Sequence, residues 1–154
     1  MKPRLDAPVL FALLASAVAA PDAQADGSCA PLMSQIRAAH DRFVDREPGP
    51  GTSAFPDADA CEVVRTTSDP LLWCSWSFGY RADAANARFE SLHASVASCL
   101  GPDAASRTDP TVNHPDSYSL HEFDAGDVTV AVSIKDKGAQ KKTLVFLRIY
   151  PKSD

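Results

Sequence analysis

Four cysteines are the residues of this chain whose type and spacing indicate the clearest chemistry. They are Cys29, Cys61, Cys74 and Cys99. An even number of thiols is typical of disulfide bonds formed in an oxidising compartment. No Cys-x-x-Cys occurs, so the sequence lacks both the common redox motif and the strongest zinc-binding pattern. We therefore predict two disulfide bonds.

The lengths of the intervening segments favour one of three pairings. A strand from Cys74 covers about 20 Å, and a helix that returns from it covers about 24 Å, which would bring Cys99 back over Cys74. This favours Cys74–Cys99, which leaves Cys29 to pair with Cys61. The competing pairing joins Cys61 to Cys74 across a hairpin and leaves Cys29 with Cys99. Non-reducing peptide mapping distinguishes the two.

The histidines do not form a metal-binding pattern with one another or with the cysteines. His121 lies in a predicted strand, where a hydrogen-bonded structural imidazole is the common case, and no metal or other cofactor is predicted. Gly-x-Ser-x-Gly and phosphate-binding glycine loops do not occur. An alternative function is a small hydrolase with a site formed by loops 47–60 and 101–116. Its candidate residues are His114 or His121 together with Asp116 and Asp124.

The N-terminal residues have the pattern of a secretory signal peptide. Lys2 and Arg4 precede an apolar stretch over residues 7–20, and Ala23-Gln24-Ala25 provides a cleavage site. The apolar stretch is shorter than the roughly 20 residues that span a membrane. We predict a signal peptide over residues 1–25, a single domain over residues 26–154 with no transmembrane segment, and a periplasmic or extracellular location.

The composition indicates one small acidic domain. The chain has 154 residues, of which 45% are hydrophobic and 23% are charged, and its formal net charge is −5. This charge is not typical of proteins that bind nucleic acids. From Lys135 to the last residue, however, the sequence has six basic side chains and only two acidic ones. The basic segment 135–142 is suited either to attracting an anionic partner or to keeping a hairpin turn soluble.

Hydrophobic periodicity predicts the elements that position these residues. Helical spacing indicates a helix over residues 31–45 and another from Asp83 to Gly101. Alternating patterns indicate a hairpin of strands 61–66 and 71–80 and a meander of three C-terminal strands, 118–123, 127–135 and 142–150. In the second hairpin strand, Cys74, Trp76, Phe78 and Tyr80 are predicted to face the core, and Trp73 the opposite side.

The resulting fold class is α+β, in the order α-β-β-α-β-β-β. We expect an antiparallel sheet of about five strands with both helices packed on one face. Pairing Ile134 with Thr143 and Phe123 with Val128 sorts the C-terminal strands into two faces. One face is apolar and belongs under the helices: Phe123, Val128, Val130, Val132, Ile134, Val145, Leu147 and Ile149.

The opposite face carries more large apolar side chains than a solvent-exposed sheet face requires. It predicts a non-catalytic binding module, such as an inhibitor, an accessory protein or a chaperone-like protein, that uses this face to bind a protein or an apolar ligand or to form a homodimer. The competing interpretation is that the first helix or the loop 47–60 covers this face. The candidate binding residues are Tyr118, Leu120, Leu144, Phe146, Tyr150 and Trp73.

Overall fold

Two helices and seven strands make up the described part of the chain. The computed structural model describes residues 26–45, 49–50, 55, 57–65, 69–104, 106–108 and 118–153, so the predicted signal peptide lies outside the described residues. The helices are α1 (Asp26–His40) and α2 (Asp83–Leu100). The strands are β1 (Gly49–Pro50), β2 (Ala60–Arg65), β3 (Pro70–Gly79), β4 (Ser106–Thr108), β5 (Tyr118–Ala125), β6 (Val128–Lys137) and β7 (Lys142–Pro151).

The strands form one antiparallel sheet in the order β1-β2-β3-β7-β6-β5-β4. The predicted α+β class is confirmed, and the five long strands match the five predicted ones. The two short edge strands, β1 and β4, were not predicted because two or three residues are too few to show an alternating pattern. The C-terminal strand β7 lies in the middle of the sheet, between β3 and β6.

Both helices pack on the same face of the sheet, and the core lies between these two layers. Burial of apolar side chains is the main stabilising contribution to such an interface. Phe89, Leu92 and Val96 of α2 share one stripe at helical spacing. The core residues of the sheet are Cys61, Val63, Leu72, Cys74, Trp76, Phe123, Val128, Val130, Val132, Val145, Leu147 and Ile149.

Helix α1 begins and ends five residues earlier than the predicted helix 31–45. It ends at His40 because Arg42 and Phe43 both adopt a φ of 52°, in the left-handed region that an α-helix of L-residues does not continue. The predicted apolar spacing is nonetheless correct. Its four members are all buried: Leu32, Ile36, Ala39 and Phe43.

The predicted inward orientation of Tyr80 is wrong. Strand β3 ends at Gly79, and Tyr80 lies in the following turn with 43% of its surface exposed. Arg81 has a φ of 54°, so the chain reverses here instead of continuing the alternation. The guanidinium of Arg81 lies 5.0 Å from the centre of the Tyr80 ring.

The hairpin of β6 and β7 is longer than predicted. Ile134 pairs with Val145 rather than with Thr143, which is a shift of two residues. The strands continue until Lys137 pairs with Lys142, and a single 3-10 turn with a left-handed Lys141 closes the hairpin. Because side chains alternate with a period of two, a shift of two residues leaves every side chain on its predicted face.

The hairpin of β5 and β6 shows the same kind of shift. Phe123 pairs with Val130 rather than with Val128. The connection contains only Gly126 and Asp127, and Gly126 adopts a φ of 77°, which a glycine accepts without strain. The predicted sorting of the C-terminal strands into two faces is therefore confirmed, although both predicted registers are wrong.

The preferred disulfide pairing is wrong, and the competing pairing is observed. Cys61 and Cys74 are bonded across the hairpin of β2 and β3, where their Cα atoms lie directly opposite each other, 4.1 Å apart. Cys29 is bonded to Cys99, so this bridge joins α1 to α2. The strand register decides the pairing, because it places Cys74 beside Cys61, and the lengths of single elements do not fix that register.

Candidate functional site

The candidate site is the sheet face opposite the two helices, which we call the open face. Register places on it all six residues that were predicted to bind: Trp73, Tyr118, Leu120, Leu144, Phe146 and Tyr150. They are joined there by Glu62, Val64, Leu71, Arg107, Glu122, Asp124, Thr129, Ala131, Ser133, Lys135, Lys137, Lys142 and Arg148.

Aromatic side chains form the centre of the open face. The rings of Trp73 and Phe146 lie on neighbouring strands, with centroids 5.6 Å apart and planes inclined by 34°. Next to Phe146 on the other side are Ser133, which is 2% exposed, and Ala131, which is fully buried. These small residues lie between larger ones on the face.

None of the described residues forms a second layer over the open face. Helix α1, which was one predicted cover, packs on the core side. Of the loop 47–60, Phe55 lies edge-on to Trp76 and Asp57 forms an ion pair with Arg88, so these two residues also lie on the helix side. Half of that loop lies outside the described residues.

A polar cluster centred on Glu122 lies at one end of the open face. Its Oε1 accepts a hydrogen bond of 2.9 Å from the Tyr150 hydroxyl, and its Oε2 one of 2.8 Å from Arg107. Burial alone would raise the pKa of Glu122, but these two hydrogen bonds and the charges of Arg107 and Arg148 outweigh it and lower the pKa. Burial and the neighbouring carboxylate raise the pKa of Tyr150 to about 12.

These pKa shifts keep Glu122 ionised and Tyr150 protonated near neutral pH. A general acid or base works best when its pKa lies near the operating pH. The pKa of Glu122 moves further below neutrality, and that of Tyr150 moves further above it. The cluster is instead a fixed arrangement of charges and hydrogen-bond donors, which suits binding.

A cleft of about 540 Å³ adjoins this cluster at the edge of the face. Within it, Lys152 donates a hydrogen bond of 2.7 Å to Asp124 and lowers the pKa of that carboxyl group. Its charged groups are thus paired with one another. The lining residues are Arg107, Glu122, Phe123, Asp124, Thr129, Tyr150, Lys152 and Ser153.

Arg148 differs from the other charged residues of the face. It lies on β7, directly between Trp73 on β3 and Ala131 on β6. Its Nε is buried without a hydrogen-bond partner, and the guanidinium makes no hydrogen bond or ion pair within the part of the chain that the structure describes. Glu122 is close enough to be influenced by its charge, but both oxygens of Glu122 are already bonded to other side chains.

His121 lies on the opposite side of β5 from this face, under α2. Its ring packs against His93, with centroids 4.7 Å apart, and its Nδ1 lies 3.3 Å from the Thr108 hydroxyl. Asp124 is on the open face, so the hydrolase alternative's combination of His121 with Asp124 is not formed. His114 and Asp116 lie outside the described residues. Among those that the structure describes, no three His, Cys, Asp or Glu side chains are grouped to hold a metal ion.

The His93–His121 pair predicts a pH dependence of stability. Burial and the neighbouring His93 lower the pKa of His121 below 6.5, while Glu90 opposes the shift. Between the lowered pKa and 6.5, the unfolded state binds more protons than the folded state, so stability decreases as the pH falls through this window. Urea unfolding should show a smaller decrease between pH 7 and pH 5 in His121→Gln than in the wild type. An equal decrease in both would contradict this assignment.

Basic side chains dominate the other end of the face. Lys135, Lys137 and Lys142 all belong to strands, so the basic segment predicted as a turn is partly sheet. The ammonium group of Lys135 lies 6.0 Å from the centre of the Tyr118 ring. In a chain whose net charge is −5, the open face carries six basic side chains, counting Lys152, and three acidic ones, which are Glu62, Glu122 and Asp124.

The chain shows no significant match to a protein-family model, to a curated protein or to a solved structure. Its function must therefore be inferred from the geometry of the site. That geometry combines half-buried aromatic side chains, a surplus of positive charge and an arginine that makes no hydrogen bond or ion pair with the described residues.

Proposed function

We propose that this protein is an exported, non-catalytic binding module whose open face binds another protein. The observation that carries the proposal is the set of large apolar side chains, centred on Trp73 and Phe146, on a sheet face that neither helix covers. A sheet face that only contacts water needs no such side chains. Contiguous apolar patches on small proteins usually mark interaction sites.

The dimensions of the open face favour a protein partner over a small molecule. Five strands at ~4.8 Å spacing and about eight residues at ~3.3 Å give an area of about 600 Å². A typical protein–protein interface buries roughly 800 Å² on each partner, whereas small ligands occupy enclosed concave pockets. Sheets commonly pack face to face against other sheets.

The disulfide bonds support export. The described residues contain two disulfide bonds and no free cysteine, which is typical of proteins that fold in an oxidising compartment. Neither described helix has the length and apolar character that crossing a membrane requires. Together with the signal-peptide pattern of residues 1–25, the disulfide bonds support a periplasmic or extracellular location.

Site-specific photocrosslinking tests the proposed interface. We expect benzoylphenylalanine at Leu144 to form a crosslink to one partner, and the same group at the exposed Ala94 of α2 to form none. Phe146→Asp should abolish the crosslink from position 144 because it places a charge in the apolar centre of the interface. The melting temperature should change little because Phe146 lies outside the core.

Val44→Asp provides the matched control. Val44 is 69% exposed and lies after α1, far from the open face in the fold. Introducing an aspartate at this position should therefore leave the crosslink intact. The partner is identified by mass spectrometry and confirmed by reciprocal capture. A crosslinked product that contains two copies of this chain identifies the partner as a second copy. Equal crosslinking from positions 144 and 94, or none from position 144, would contradict the proposal.

A further inference from the structure

Arg148 is a charged group in an apolar setting that the proposed function does not yet explain. Its neighbours on the open face are Trp73 and Ala131 across the strands and Phe146 and Tyr150 along its own strand. An arginine carries five N–H donors, and burying one of them without an acceptor is unfavourable. Nε of Arg148 is buried without a partner.

No described acidic residue of the face forms a hydrogen bond or ion pair with Arg148. Glu62 lies two strands away, on β2. Glu122 binds Tyr150 through one carboxylate oxygen and Arg107 through the other. Asp124 is bonded to Lys152. The guanidinium therefore has unused donors at the centre of the proposed interface, where a binding partner would shield them from water.

The charge distribution indicates what kind of group supplies the acceptor. The face carries a surplus of basic side chains, whereas the chain as a whole has a net charge of −5. Charge complementarity between two surfaces favours an acidic partner and disfavours a basic one. A carboxylate matches the planar, forked donors of a guanidinium and can accept two hydrogen bonds from it.

We propose that the partner presents an acidic segment, and that Arg148 binds the carboxylate of an Asp or Glu side chain that is flanked by apolar residues. The apolar residues of that segment pack against Trp73 and Phe146. The lysines at the far end of the face attract the segment but do not select it. This proposal rests on the proposed function and adds the chemical identity of the partner's central contact.

Selection from a random peptide library displayed on phage tests the proposal. The wild-type protein should select peptides with Asp or Glu at one fixed position next to aromatic or aliphatic residues. Arg148→Gln should lose the acidic preference, and Arg148→Lys should retain part of it because the charge remains. Arg37→Gln, which removes an exposed arginine of α1, should select the same peptides as the wild type.

A double-mutant cycle on one selected peptide measures the contact. Arg148→Gln and replacement of the peptide's Asp by Asn should each weaken binding by about 10- to 100-fold, the effect of losing a charge-assisted hydrogen bond. The two changes together should weaken it no further than either alone. Near-ultraviolet circular dichroism, which reports on the neighbouring Trp73, shows that each variant is folded. Additive losses would overturn the assignment of this contact.

Three other outcomes separate this proposal from the proposed function. If the selected peptides bind only when Phe146 is present but contain no acidic residue, the role of Arg148 is overturned, whereas the proposal that the open face binds a protein remains. A library that yields no peptide dependent on Phe146 would contradict both. Binding of dodecanoate that depends on Arg148, without any such peptide, would assign the face to a small amphiphilic carboxylate and overturn the acidic protein segment.

Discussion

Replacing Cys29 and Cys99 by alanine is expected to lower the free energy of unfolding by about 4 kcal/mol. The bridge closes a loop with a sequence separation of 70 residues. A disulfide restricts the unfolded chain, and this effect grows with the length of the loop it closes. The bridge also joins the start of α1 to the end of α2, so its loss releases the helix that covers part of the core.

Replacing the other bridge provides the comparison. The Cys61–Cys74 loop has a separation of 13 residues, for which the loop effect alone is about 3 kcal/mol. Its removal also takes apolar volume from the fully buried position of Cys74. Urea unfolding of both double variants measures the two costs, and hydrogen exchange shows where protection is lost. A cost below about 1 kcal/mol for the Cys29–Cys99 variant would show that the bridge does not constrain the unfolded chain.

The disulfides also show where reasoning from the sequence reaches its limit. Oxidation of all four cysteines was predictable because number, spacing and predicted compartment agree. Which cysteines pair with each other was not predictable, because the pairing depends on strand register and on how the two helices meet. The register of β2 and β3 places Cys61 opposite Cys74, and a register displaced by a few residues would pair other residues.

The faces of the sheet were predictable even where the register was not. In β6 and β7, apolar residues recur at every second position, and this period fixes which side chains share a face. Both predicted hairpin registers were displaced by two residues, so the faces stayed the same. A displacement of one residue would have placed Phe146 in the core and Val145 on the open face.

The unpaired state of Arg148 could not be read from the sequence. The alternation places Arg148 and Glu122 on the same face of the sheet, but it does not show whether the two side chains pair. In the structure, the two carboxylate oxygens of Glu122 accept hydrogen bonds from Tyr150 and from Arg107. Arg107 comes from β4, a three-residue edge strand that no sequence pattern indicates. The candidate site thus depends on a contact between distant segments.

The second large effect is expected from Asp136→Ala, which should lower the free energy of unfolding by about 2 kcal/mol. Asp136 is 7% exposed, and its carboxylate accepts hydrogen bonds of 2.5 Å from Thr143 and 2.9 Å from Arg81. The Thr143 hydroxyl oxygen in turn accepts a hydrogen bond of 2.8 Å from the backbone N–H of Arg81. The network joins Arg81, in the turn between β3 and α2, to the hairpin of β6 and β7.

A matched control and a second variant identify the source of this effect. Asp103→Ala removes an exposed carboxylate and should change stability by less than about 0.5 kcal/mol. Thr143→Val keeps the shape of the side chain but removes the hydroxyl. If the network acts as a unit, the double variant should cost clearly less than the two single variants added together. Additive costs would mean that Asp136 and Thr143 stabilise the protein independently.

The acid sensitivity of the wild type provides an independent test of the same carboxylate. The hydrogen bond from Thr143, together with that from Arg81 and its charge, lowers the pKa of Asp136 below 3.8 although burial opposes the shift. Its contribution is therefore fully present above 3.8 and is lost as the pH falls through the lowered pKa. Asp136→Asn, which cannot titrate, should lose less stability than the wild type between pH 4 and pH 2.

Because the network fixes the strands that carry Lys135 and Leu144, Asp136→Asn should also loosen the basic end of the open face. Faster hydrogen exchange of the amides of these two residues would detect this loosening.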